Sequence, residues 1–300
     1  MPLWNPSVLD NLQYWVRGDS LSNVPNGTDV NFWADESGNG FHVRKATTAV
    51  QNAPDVLLQG QNGLPVVDFD SSRTECLFGG SAVTQFGTSG FFITSVFKTA
   101  TTGGTAETVF GDNQDNSLFE FRYTASSNRP IKYFGTGGDA DSGLVNVGND
   151  MTMASYDRQS TGSSDSFWRV NGKLESTETE AGDYDDDDVT TGILCIGCSG
   201  TQASPQKPLN GQICEIVMYA DALTDAERIL LEGYLANKWD STTLIESDGG
   251  SNHTYKTKKP LDGITLLGED LANETLSRSL VGDLSADLNM VDAEHGKGFM

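Results

Sequence analysis

Short apolar runs broken by polar turns fill the chain from Leu3 to about Trp239. LQYWVR (12–17), VNFW (30–33), PVVDF (65–69), FFITSVFK (91–98) and TVFG (108–111) read as strands. So do SLFEFRY (117–123), IKYFG (131–135), FWRVNG (167–172), GILCIG (192–197) and GQICEIVMYA (211–220). Apolar and polar positions alternate most clearly in FFITSVFK and SLFEFRY, which predicts strands with one face on a core. Turn signals between these runs predict a sandwich or barrel, and strands do not alternate with helices as a parallel α/β sheet requires. One segment breaks the pattern. In ALTDAERILLEGYLANKWD, Ile229, Leu230, Gly233, Tyr234 and Asn237 recur at helical spacing. Thr224 and Glu227 are placed for a capping box, with Leu223 before the cap as a staple.

Beyond Trp239 the pattern thins. Residues 241–300 hold Gly249-Gly250, the KTKKP segment at 256–260, and Leu271, Leu276, Leu280, Leu284 and Leu288 in an acidic background. Tyr255 and Phe299 are the largest aromatics available there, too little for a core of its own. The expected organisation is therefore a domain at 1–240 and an extended C-terminal arm at 241–300. Such an arm is ordered by neighbouring subunits, in a homo-oligomer or a larger assembly, and Lys258, Lys259, Leu266, Leu271, Leu280 and Phe299 are its candidate contact residues.

Composition narrows the picture. With 300 residues, 37% of them hydrophobic and 9% aromatic, the chain can bury a sizeable core, and 33 glycines imply many turns. Nineteen basic against 42 acidic residues give a net charge of -23. That argues against nucleic acid as a partner, since binding a duplex needs a concentrated basic patch, and it favours cations. No apolar run reaches the length of a membrane span, so no membrane insertion is expected. MPLWNPSVLD lacks the basic and apolar regions of a secretory leader, so the expected locations are the cytoplasm or a particle released from it. Of the cysteines Cys76, Cys195, Cys198 and Cys214, the CxxC pair lies in a strand-like run where residues three apart face opposite sides. Buried free thiols are the expectation, because no second pair completes a zinc set.

Calcium is the cofactor this composition allows. In WADESGNG, Asp35, Ser37, Asn39 and Gly40 match the first half of a calcium loop, but the twelfth position is Ala46 instead of a bidentate carboxylate. A turn is the favoured reading, with Asp35 and Asn39 kept as secondary cation ligands. AGDYDDDDVTTG gathers more carboxylates, and Asp183, Asp185 and Asp187 are the first candidates for a cation. Glycosidase chemistry needs two carboxylates flanking the scissile bond. No Glu-x-Asp-x-(x)-Glu run sits on a predicted strand, and TETEAGD (177–183) reads as a polar loop. The three histidines, His42, His253 and His295, lie in turns or the tail, so no catalytic residues are assigned. Sugar binding calls for acceptors on loops beside an aromatic. The loops GDNQDNS and GTGGDADSG supply Asp112, Asn113, Asp139 and Asp141, while most of Trp4, Tyr14, Trp15, Trp33, Tyr133 and Trp168 are expected in the core.

LDNLQYWVRGDSL, VNFWADESGNG, NAPDV and NGLPVVDFD follow in order near the start, and LNGQICEIVMYADALTDAERILLEGYLANKWD closes the domain. Together these segments resemble the concanavalin A-like, laminin-G-like jelly-roll domains of phage virion and bacterial surface proteins. The resemblance implies an all-β fold: an antiparallel two-sheet jelly-roll sandwich with one C-terminal helix, to which this chain adds its arm. It also implies a calcium ion near a loop rim. The fold hosts lectins, glycosidases, lyases and structural modules alike. The expected function is a non-catalytic virion structural or decoration protein, in the capsid or tail. Its lectin-like domain would face outward toward cell-surface glycans, with the arm anchored to other virion subunits or to copies of itself. A free extracellular carbohydrate-binding or adhesion protein is the alternative, with a glycoside hydrolase or polysaccharide lyase behind it.

Overall fold

The computed structural model describes residues 4–45, 52–82, 90–99, 106–112, 119–124, 129–134, 138–141, 151–159, 165–179 and 193–239. The arm at 241–300, with all of its candidate contact residues, lies outside them.

In chain order the first strands are β1 (Leu12–Arg17), β2 (Phe32–Trp33), β3 (Val43–Lys45), β4 (Asp55–Gln61), β5 (Leu64–Phe69) and β6 (Leu77–Ala82). Next come β7 (Phe91–Thr99), β8 (Glu107–Asp112), β9 (Phe119–Thr124), β10 (Arg129–Phe134), β11 (Gly138–Asp141) and β12 (Thr152–Arg158). Then follow β13 (Asp165–Val170), β14 (Lys173–Thr179), β15 (Ile193–Ile196), β16 (Ser199–Thr201), β17 (Ser204–Gln206) and β18 (Gly211–Tyr219). Helix α1 (Asp225–Lys238) comes last. Two eight-stranded antiparallel sheets result. One runs β14-β13-β12-β7-β18-β5-β4, and β1 pairs the second half of β18 on the side where β5 pairs the first. The other runs β11-β10-β9-β8-β15-β6-β3-β2.

Between the sheets lies a core of Tyr14, Trp33, Val67, Phe69, Ile93, Phe97, Phe110, Trp168, Ile196 and Ile216, among others. A second apolar layer lies on the outer face of the first sheet, where Trp15, Val66, Phe92, Val96 and Val217 meet Leu231, Leu235 and Trp239. β7 is therefore buried on both faces, whereas its alternation had predicted one solvated face. Phe91, Ile93 and Phe97 point to the inter-sheet core, and Phe92 and Val96 point to the helix layer.

The capping box forms as the sequence indicates. Glu227 N–H donates to Thr224 Oγ1 at 3.3 Å, and Thr224 N–H donates to Glu227 Oε2 at 2.8 Å. The docking stripe matches the predicted spacing at Gly233 and Asn237, which are buried, and departs from it elsewhere. Arg228, Leu231, Glu232 and Leu235 are buried, while Ile229, Leu230 and Tyr234 are half-buried. Arg228 Nη1 donates to Glu232 Oε2 at 2.7 Å one turn away, so two charged residues enter the interface as a pair. Ser155 Oγ on β12 also donates to Glu232. At the other end, the fully buried Glu215 of β18 accepts from Trp15 Nε1 at 2.6 Å, Trp239 Nε1 at 2.8 Å, Lys238 Nζ at 2.8 Å and Tyr234 Oη at 3.3 Å.

Burial raises two carboxyls furthest among the described residues. Chiefly through desolvation, and against the pull of Arg169, Asp157 is raised from the ordinary 3.8 to about 6. Glu75 is raised from 4.5 to about 7, again by burial and against the Asp70 N–H bond and Arg73. A carboxyl whose folded value exceeds its unfolded one binds a proton on folding. Its contribution is thus fully present at low pH and lost as pH rises through the folded value. Denaturation of wild type and Asp157→Asn should show the difference in stability shifting against the wild type between about pH 4 and pH 6. A difference independent of pH over that window contradicts the shift.

The cysteine expectation holds for two residues and fails for two. Cys195 and Cys214 are free and buried, but Cys198 is joined to Cys76 by a disulfide. Cys76 precedes β6 and Cys198 follows β15, and these two strands pair with each other, which brings the ends together.

Candidate binding cleft

The WADESGNG loop is built around one carboxylate. Asp35 Oδ1 accepts from the backbone N–H of Trp15 (3.0 Å) and Ser37 (2.9 Å). Its Oδ2 accepts from Ser37 Oγ (2.8 Å) and Phe41 N–H (2.9 Å). Asn39 Nδ2 donates to the carbonyls of Leu12 and Gln13, tying the loop to β1. Gly38 and Gly40 take φ of +93° and +79°, a region closed to most side chains. Trp33 ends β2 wholly buried, with Nε1 donating to Arg17 O at 2.9 Å. A cation at Asp35 would have to displace protein donors from both oxygens, so the loop's geometry serves the fold. Among the described residues no three His, Cys, Asp or Glu side chains gather to hold a metal. Asp183, Asp185, Asp187 and Asn113 lie outside those residues.

Three of the four sugar-binding candidates sit in strands. Asp112 ends β8, its backbone opposite Leu194, and Asp139 and Asp141 belong to edge strand β11, opposite Tyr133 and Ile131. TETEAGD likewise begins inside β14, where Thr177 and Thr179 pair with Phe167 and Asp165. Both segments are polar because they lie at sheet edges (β11 and β14 end their sheets), where little apolar surface is needed.

A different set of residues converges. An open cleft of about 330 Å³ lies on the first sheet, lined by Asp68, Phe69, Asp70, Lys98, Asn210, Gly211 and Gln212. Gln212 of β18 stands opposite Asp68 of β5 on one side and Lys98 of β7 on the other. The flanking residues Val67, Phe69 and Phe97 enter the inter-sheet core, so Asp68, Gln212 and Lys98 face outward. They continue the face that α1 covers further along, where Val66, Val96 and Val217 are apolar. The result is a carboxylate, an amide and an ammonium in one row across three strands, about 10 Å wide. At its floor a Cβ on Gly211 would collide with the Lys98 carbonyl, so β7 and β18 approach as closely as backbones allow.

Two neighbouring carboxyls differ in character. Asp68 is raised above the usual range, first by desolvation and then by Asp55 and Asp70, while its bond to Gln212 and Lys98 oppose the shift. Asp70 is lowered by two bonds from Ser72, whose N–H and Oγ donate to its Oδ1 at 2.8 and 2.7 Å. The wall beside Asp70 is fixed by Glu75, which accepts from Asp70 N–H at 2.7 Å and pairs with Arg73 at 2.8 Å. Sequence patterning missed this row because its members come from three distant strands. Only the outward parity of Asp68 in PVVDF hinted at it.

No family model matches the chain, and no curated protein matches it. Solved structures do match in outline. Trypanosoma rangeli sialidase aligns at a TM-score of 0.44 and 12% identity, covering 77% of this chain and 33% of its own. The Ruminococcus gnavus IT-sialidase CBM40 bound to α2,3 sialyllactose aligns at 0.39 and 15%, covering 47% of this chain and 81% of its own. A leech intramolecular trans-sialidase aligns at 0.40 and 17%, covering 47% and 23%. This chain thus spans about a third of the Trypanosoma sialidase's length. Likeness at this level transfers neither chemistry nor ligand.

Proposed function

We propose that the sandwich is a non-catalytic carbohydrate-binding module whose binding surface is the outer-face cleft. The carrying observation is the Asp68–Gln212–Lys98 row. An acceptor, a group that both donates and accepts, and a charged donor stand at strand spacing on a rigid sheet, which suits the alternating hydroxyls of a saccharide. The fuller form of the proposal is a display protein on the surface of a larger assembly, a phage virion, held there by residues 241–300. Its support is the resemblance of the domain segments and the change of composition after Trp239. A screen of the full chain against an array of neutral and acidic glycans should find binders, and light scattering should find a mass above the 32.2 kDa of one chain. An array without binders ends the carbohydrate reading, and a monomeric mass ends self-association through the arm.

One observation favours a second reading. Asp68 and Asp70 line the same cleft with carboxyls displaced in opposite directions, the condition for an acid paired with a base or nucleophile. If the cleft were catalytic, incubation with an array binder would release reducing sugar, and Asp68→Asn would stop it. The module reading expects the glycan to be recovered intact.

A further inference from the structure

The edge of the second sheet carries a feature that the cleft does not use. In the β2–β3 pair Phe32 stands opposite Arg44, and their neighbours Trp33 and Val43 enter the core, so Phe32 and Arg44 face outward. Phe32 is 46% exposed, one of three large hydrophobic side chains so exposed among the described residues. The Arg44 guanidinium carbon lies 5.6 Å from the Phe32 ring centroid, and the His42 ring lies 5.2 Å away at 54°. Asp35 N–H donates to His42 Nδ1 at 3.0 Å, so the neutral imidazole carries its proton on Nε2, at the far side of the ring.

Arg44 is also unusual in its charge environment. The chain has 42 acidic residues, and Arg17, Arg73, Arg169 and Arg228 all sit in ion pairs. Arg44 enters no ion pair with a described residue, although it is exposed on this strongly acidic protein. A guanidinium held against an aromatic face keeps its fork of donors for a planar anion, and carboxylate fits that fork with two parallel bonds.

From this geometry we infer that Phe32, Arg44 and His42 form a second saccharide subsite, specific for a sugar ring bearing a carboxylate, such as a uronic acid. The apolar face of the ring lies on Phe32, the carboxylate pairs with Arg44, and His42 Nε2–H donates to a hydroxyl. The charge on Arg44 and the aromatic beside it set the ligand class. The subsite lies on the other sheet from the cleft and does not depend on it.

The test is calorimetric titration of the full chain with trigalacturonate and with its methyl ester, which keeps the rings and loses the charge. Trigalacturonate should bind at least tenfold more tightly than the ester, a difference of about 1.4 kcal/mol. Phe32→Ala and Arg44→Ala should each weaken it about tenfold or more, and Arg44→Lys should recover part of the loss. Both positions are exposed, so melting temperatures should stay close to wild type and separate lost binding from lost folding. Asp68→Asn in the cleft should leave the preference for the acid over the ester unchanged. Equal affinity for acid and ester, wild-type affinity in Arg44→Ala, or no wild-type binding in the millimolar range overturns the inference. Any of these would reduce Phe32–Arg44 to a cross-strand pair shielding a sheet edge. Failure of the cleft would instead appear as neutral array binders, which this subsite does not select, that Asp68→Asn does not affect.

Discussion

Replacing Glu215 by alanine is expected to destabilise the domain by about 3–5 kcal/mol, as loss of one member of a buried charged network does. The carboxylate is fully buried and accepts from two indole N–H groups, a phenol and an ammonium. Its removal leaves Trp15 and Trp239 with desolvated donors, while Lys238 retains Asp19 at 2.8 Å and the Tyr234 hydroxyl at 3.0 Å. Those donors come from β1 and from the C-terminal end of α1, so the loss loosens the helix where it seals the outer sheet. Glu215→Gln should cost less, about 1–3 kcal/mol, because one acceptor oxygen survives. Urea denaturation with an unchanged slope would measure both. A Glu215→Ala cost below about 1 kcal/mol would mean that this network does not hold the helix.

The second large effect concerns binding. If the cleft holds a glycan, the double variant Asp68→Asn, Gln212→Ala should weaken it about a hundredfold. A hydrogen bond to a charged group contributes about 1.5–3 kcal/mol, and the amide adds a neutral bond of about 1. Lys98→Met should cost about tenfold alone, since the ammonium is an outward donor whose stem can stay packed. Both sets of substitutions lie on half-buried side chains of continuous strands, so the fold should persist and calorimetry should read affinity directly. Retained affinity in the double variant would place the glycan elsewhere on the molecule.

How much of this was legible in the chain follows from burial geometry. FFITSVFK and GQICEIVMYA announced β7 and β18 because their apolar content is high enough to mark strands under any packing. The helix announced itself through Thr224 and Glu227, whose cap depends only on local spacing. Its buried face did not, because Arg228 and Glu232 go inside as a pair while hydrophobicity pointed to Ile229 and Leu230. β12 was missed for a related reason: TMASYDR is buried along its whole length and so shows no alternation. β11 and β14 read as loops in the sequence because edge strands need little apolar surface. The cleft was the least legible element. Asp68, Lys98 and Gln212 are ordinary polar residues until the β5-β18-β7 register places them side by side.

On our proposal the outer face beyond the helix recognises sugar. Amide chemical-shift mapping tests it most directly, with an isotope-labelled full chain titrated with the strongest array binder. Saturable shifts should concentrate at Asp68, Phe69, Lys98, Gly211 and Gln212, with Glu215 and the helix amides little affected. Shifts confined to other surfaces, with these five amides unmoved at saturation, would contradict it.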